Sequence, residues 1–214
     1  MKRLLMFLKR KVRSISAFNS IRGKRKNRIV NKGWLYRSKI RFKGENNVVE
    51  INDNAKLIKC RIVINGSNNR IIIGADSYLQ ENGICMEFDN NRLEIGKRCI
   101  FSSRDHFSVC EGKNISFGND CLISADLHCR TTDSHTIVNE EGKRINFAKD
   151  IHVGNHVWIG ANVVLLKGAT VANDSVVSYG SIVTKAFGET NCVIAGVPAT
   201  IVKREINWDK KLYR

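Results

Sequence analysis

From residue 153 onward an aliphatic side chain returns every six positions: Val153, Ile159, Leu165, Val171, Val177 and Val183. Four places after each of the first five stands a small or β-branched residue, at Val157, Val163, Ala169, Ser175 and Ser181. An amphipathic helix repeats every 3.6 residues and a half-buried strand every two, so a sustained six fits neither. It fits a short flat segment and a turn, repeated so that three segments close one triangular coil. The pattern predicts an all-β hexapeptide-repeat β-helix with its small residues at the corners.

Upstream the period is longer. IRFKGENNVVEINDNA (40–55), IVINGSNNRIIIGADS (62–77) and ICMEFDNNRLEIGKRC (84–99) align, with Asn pairs at 46–47, 68–69 and 90–91. Ile51, Ile73, Ile95 and Phe117 are likewise 22 residues apart. Six or seven coils at the strand spacing of about 4.8 Å give a prism roughly 30 Å long. Asn at the repeated turns tolerates the left-handed backbone such corners need. The same register sets His106 at the aliphatic station of Ile40, Ile62 and Ile84. The rhythm breaks once. Phe117 and Val153 lie 36 residues apart, the length of two 18-residue coils, yet residues 130–150 (RTTDSHTIVNEEGKRINFAKD) carry no clean hexads. A loop expelled from the coil is predicted there, and loops on regular scaffolds are where function concentrates.

These patterns divide the chain into an arm (1–29), a β-helix (30–186) and a tail (187–214) expected to fold back over the last coil. The arm opens with MKRLLMFLKRKVRSISAF, which reads as a short amphipathic helix. Its apolar run is too short and too interrupted for a signal peptide, and no run in the chain is long enough to span a bilayer. Charge sharpens this picture. The chain of 214 residues has a net charge of +16, and 16 of its 36 Lys and Arg fall within residues 1–44, which hold no Asp or Glu. From Glu45 onward 20 basic side chains meet 20 acidic ones. Residues 1–28 therefore read as an attachment to an anionic membrane surface, as a hold on an acidic polymer, or as a solvated helix. No nucleic-acid motif accompanies the charge. The seven cysteines form no CxxC or CxxxC pair, which points to reduced core thiols in a cytoplasmic protein rather than disulfides or a metal site.

The ordered run HVWIGANVVLLKGATV, SVVSYGSIVTK, VIAGVPATIVK, within residues 95–205, resembles the hexapeptide-repeat acyltransferases. It is most similar to their galactoside, maltose and polysaccharide O-acetyltransferases. The resemblance implies left-handed winding, a homotrimer with its sites between subunits, acetyl-CoA as co-substrate and no metal. It further implies a glycan acceptor, of capsule or lipopolysaccharide type. Position by position it assigns His135 as catalytic base. Ala161 matches a small residue beside the thioester arm, Thr184 and Lys185 match residues at the pantetheine and phosphates, and Lys203 matches a basic residue near the 3′-phosphate. Tyr179 stands where the family has a small pantetheine contact, and Thr200 where the sugar acetyltransferases often have Arg.

Thioester acyl transfer to a hydroxyl needs a base for the hydroxyl proton and a donor for the oxyanion. His135, inside the expelled loop, meets the first need, since an ordinary imidazole is mostly neutral at pH 7. Asp133 is placed to orient it or to contact the acceptor. Trp158 stands just after a corner where the hexads elsewhere have Val164, Thr170, Val176 and Ile182, and is expected to line a wall or donate its indole N–H. Asp105 and His106 are further candidates for acceptor contact. An N-acetyltransferase acting on an amino-sugar nucleotide is the alternative. A serine acetyltransferase, lacking its helical domain here, and a three-His metal site of the γ-carbonic-anhydrase kind fit less well.

Overall fold

The computed structural model describes residues 18–211. The helix expected over residues 1–18 lies, but for Phe18, outside the described residues, as do residues 212–214. The rest is a parallel β-solenoid of about seven turns with three flat faces. Face 1 carries eight strands, from Ser20–Arg22 through His106–Cys110 and His128–Arg130 to Ile182–Val183. Face 2 carries eight, from Arg28–Asn31 through Ile151–Val153 to Ala186–Phe187. Face 3 carries nine, from Trp34–Tyr36 through Trp158–Ile159 to Val193–Gly196, with Ala199–Lys203 returning antiparallel as its last strand.

The repeats dictate this geometry. All six aliphatic hexad positions from Val153 to Val183 are fully buried, and each corner residue from Val157 to Ser181 is at most 1% exposed. The corners do more than make room. Ser77 Oγ donates to the Gly96 carbonyl at 2.8 Å, Cys99 Sγ to Gly118 at 3.1 Å and Cys121 Sγ to Gly154 at 3.2 Å. A small donor at a buried corner thus satisfies a carbonyl of the next coil. All seven cysteines are free thiols. Glycine is required where coils meet closely: a Cβ on Gly74 would stand 2.2 Å from the Gly96 carbonyl oxygen.

The Asn pairs divide their labour. Asn46, Asn68 and Asn90 take the left-handed backbone, with φ of 57°, 59° and 61°. Their neighbours Asn47, Asn69 and Asn91 are buried, and each Oδ1 accepts the backbone N–H of the next rung, from Asn69 (2.9 Å), Asn91 (2.8 Å) and Lys113 (3.3 Å). Asn27 begins this ladder by accepting from Asn47 N–H at 2.9 Å. The solenoid therefore starts at Ser20, ten residues before the expected boundary. Its first coil is shorter than 22 residues, Ser20 pairing with Lys39, which hides it from the repeat.

Phe117 pairs directly with Val153, so those 36 residues are one coil with a long excursion, as the missing hexads of residues 130–150 predict. A further expectation needs correction. His106 does not occupy the station of Ile84. Phe107 pairs with Ile84, while His106 pairs with Gly83 and points outward. One residue is added at the corner where Ser102, Ser103 and Arg104 replace Gln80 and Glu81. One is removed at the following corner, so the Ile95-to-Phe117 pairing survives. At the end of the chain the tail passes beyond the last coil. Trp208 donates its indole N–H to the His156 carbonyl at 2.8 Å and stacks on the His156 ring at 4.3 Å.

Candidate active site

The Asn ladder stops at Lys113, and on the next coil the corner between faces 1 and 2 is replaced by residues 131–150. The excursion is held internally. Asn146, 7% exposed, donates to the Asp133 carboxylate at 2.9 Å and to the His135 carbonyl at 2.7 Å, and accepts from Ile137 N–H at 2.8 Å. Lys167, from the coil below, pairs with Asp133, and this contact with Asn146 holds the Asp133 carboxyl below its usual range. At the base, Arg144 pairs with Glu111 at 2.8 Å while Thr132 Oγ donates to the same carboxylate at 2.9 Å. Arg130 donates to Ser134 Oγ at 2.8 Å. Ser134 has a left-handed backbone, φ 69°, which turns the chain immediately before His135.

The His135 ring is consequently exposed on a braced backbone and makes no hydrogen bond or ion pair with the described residues. A neutral imidazole so placed can accept a proton from a hydroxyl that arrives beside it. Asp133 does not touch the ring; it is occupied by Asn146 and Lys167. Asn146 and Lys167 had no distinguishing mark in the sequence, because an Asn in a loop and a Lys at a corner are ordinary in themselves.

Thr184 and Lys185 lie at the same corner, two coils along, where the Lys185 carbonyl accepts from Thr170 N–H at 3.5 Å. The other predicted residues lie elsewhere on the prism. Ala161 and Tyr179 are stacked at the corner between faces 3 and 1, Gly180 N–H donating to the Ala161 carbonyl at 3.0 Å. Tyr179 is 72% exposed, and its hydroxyl accepts from Asn162 Nδ2 at 2.6 Å. Trp158 faces outward on face 3, in register with Leu122 and Val176, with Trp208 6.2 Å away. Lys203 ends the returning strand; its neighbour Arg204 is paired with Glu189 at 2.8 Å. The chain thus splits the predicted residues between two corners and the width of a face. The five histidines are equally scattered: His106 and His128 on face 1, His135 in the loop, His152 on face 2 and His156 at the corner entering face 3.

Asp105 is 1% exposed at the corner entering face 1. It accepts from Leu127 N–H at 2.9 Å and lies 2.6 Å from Asn82 Nδ2. Burial pushes its pKa up to about 7, against the opposing pull of these donors. Asn82 Oδ1 has no partner. A protonated Asp105 facing a turned amide would donate to that oxygen and satisfy both groups. Since the unfolded value is near 4, the native state holds the extra proton between these limits. Stability from this group therefore falls as pH rises from about 4 to about 7 and is level above. Asp105→Asn supplies an N–H without the titration. It is expected to stabilise the protein at pH 8 by an amount on the order of a few kcal/mol and to gain little at pH 4, read by urea unfolding at both pH values. Destabilisation at pH 8 would contradict this account.

Residues 150–185 match the bacterial transferase hexapeptide (six repeats) family. A polysialic acid O-acetyltransferase of Neisseria meningitidis is 39% identical over 85 residues, covering 39% of this chain and 40% of the relative. One from Escherichia coli O1:K1 / APEC is 40% identical over 87 residues, 40% of this chain and 28% of the relative. The chain thus spans less than half the length of these curated relatives in the alignments. Solved structures superpose more broadly. The polysialic acid O-acetyltransferase OatWY is 34% identical, with 91% of this chain and 92% of that chain covered and a TM-score of 0.86. The polySia specific acetyltransferase NeuO is 30% identical, with 92% and 91% covered and a TM-score of 0.79. Shared identity over nine-tenths of both chains, on the same repeats and the same solenoid, establishes that this chain belongs to the hexapeptide-repeat acetyltransferases of the left-handed β-helix fold.

Proposed function

We propose that the chain transfers an acetyl group from acetyl-CoA to a hydroxyl of a cell-surface glycan, with His135 as general base. The observation that carries this reading is an exposed, unpaired imidazole on a loop braced by Asn146, at the corner shared with Lys185. His135 takes the acceptor's proton as its oxygen attacks the thioester carbonyl. The tetrahedral oxyanion collapses, the C–S bond breaks, and the departing thiolate recovers the proton from the imidazolium. The products are an ester and free coenzyme A, and the base is restored. Lys185 and Lys203 are ammonium groups suited to the cofactor's phosphates, while Ala161 and Tyr179 form the corner beside the pantetheine arm.

The split between corners favours a site completed by a second copy of the chain, in a homotrimer, with Trp158 lining the opposite wall and its indole N–H available to the oxyanion. Ile137, Val138, Ile145 and Phe147 are more than half exposed on the loop, an apolar surface for such a neighbour to cover. We place the enzyme in the cytoplasm, attached to the anionic inner face of the membrane by the basic arm that precedes the first strand at Ser20. Among the described residues no helix is long and apolar enough to cross one.

Thiol release from acetyl-CoA, run against anionic and neutral polysaccharides, free sugars and amino-sugar nucleotides, decides the acceptor. Release with a glycan is expected. Release with only an amino-sugar nucleotide would replace O-acetylation by N-acetylation.

A further inference from the structure

Outward side chains on face 1 form two files that cross the strands. One runs Ser20, Lys39, Arg61, Gly83, His106, His128; the other runs Arg22, Arg41, Val63, Cys85, Ser108, Arg130. At their start lies a groove of about 310 Å³ lined by Arg22, Lys39, Arg41 and Arg61. Several cations elsewhere on the solenoid are matched to carboxylates, as in Lys59 with Glu81, Arg70 with Glu50, Arg98 with Asp120 and Arg104 with Asp126. The four groove cations have no such partner among the described residues. Residues 1–17 cannot supply one, because they contain no Asp or Glu.

We propose that this groove holds a linear anionic glycan, whose chain runs along the two files toward the loop that carries His135. The proposal rests on the acetyltransferase reading above and adds to it the charge class and path of the acceptor. Lys39 and His128 are four strands apart, about 19 Å at the usual spacing. The second file ends at Arg130, which is hydrogen-bonded to Ser134, the residue before His135. Gly83 keeps the path low midway, where an added Cβ would meet the His106 ring at 3.1 Å.

Three features select a glycan over other occupants. Guanidinium forks match carboxylates two bonds at a time, and three of the four cations are Arg. No exposed large apolar side chain lines the groove to enter a lipid layer. A second copy of the chain would bring the same unpaired cations, which repel and are costly to bury.

The test compares the full chain carrying His135→Ala with the same chain also carrying Lys39→Glu, Arg41→Glu and Arg61→Glu. Labelled polysialic acid is the probe, with binding followed by fluorescence anisotropy at rising salt. The His135→Ala chain is expected to bind, and the charge reversals to weaken binding at low salt by about tenfold or more and flatten its salt dependence. The milder Lys39→Ala, Arg41→Ala, Arg61→Ala set should lie between. With His135 restored, the reversals should raise KM for the polymer and leave kcat within about twofold. Unchanged polymer binding overturns the proposal. So does loss of binding to anionic vesicles with polymer binding intact, or a change of oligomeric state by sedimentation. If the intact chain transfers acetyl to nothing yet binds polymer through these residues, the groove stands and the acetyltransferase reading falls.

Discussion

Replacing His135 with alanine is expected to lower glycan-dependent thiol release by about 10²–10⁴-fold, the usual worth of a positioned general base. That is a loss of roughly 3–5 kcal/mol of transition-state stabilisation. The ring touches nothing that holds the loop, since Asn146 grips the backbone carbonyl of His135 rather than its side chain. Unfolding stability should therefore move by less than about 0.5 kcal/mol, as at other exposed sites. Acetyl-CoA binding, which draws on Lys185 and Lys203, should persist. A variant that retains full turnover would remove His135 from the mechanism. One that also loses acetyl-CoA binding or unfolds would show a structural role instead. The informative companion is Asn146→Ala, which leaves the imidazole in place but frees Asp133, His135 and Ile137 from their common partner.

The second large effect belongs to the core. Phe101 is fully buried, and its ring meets Phe107 at 5.6 Å and Phe117 at 5.1 Å, both edge to face. Phe117 belongs to the strand that pairs directly with Ile151–Val153 beyond the excursion. Phe101→Ala is expected to cost about 3–5 kcal/mol, from lost burial, lost ring contacts and a cavity that stacked coils cannot close. Because a solenoid is held coil to coil, the loss should also weaken the coupling between the two halves. Urea unfolding checks the magnitude and the number of transitions. A cost below about 1 kcal/mol would mean that the coils close over the gap.

How much of this was legible depended on whether the physics was local. The hexads after Val153 announced the solenoid because an apolar station and a small corner residue recurring every six positions leave few other folds. The 22-residue coils were visible for the same reason, but their spacing concealed paired changes of length. An added corner residue at Ser102–Arg104 and a missing one before Asn114 cancel, so Phe117 stayed in register while His106 moved from core to surface. The Asn repeats were legible as turns, whereas the inward ladder of Asn47, Asn69 and Asn91 was not, since it exists only once coils stack. Within the site, the loop and His135 stood out by breaking the pattern. The grip of Asn146, the Asp133–Lys167 pair and the docking of Trp208 on His156 join residues 11, 34 and 52 positions apart. No periodicity encodes such contacts.

The measurement that tests the central claim most directly is the transfer of labelled acetyl from acetyl-CoA to an anionic glycan by the full chain, followed by mild alkali. Label on the glycan that alkali releases is the predicted result, because it demonstrates an ester made by this protein. Glycan that stays unlabelled, or label that resists alkali as an amide would, contradicts the account.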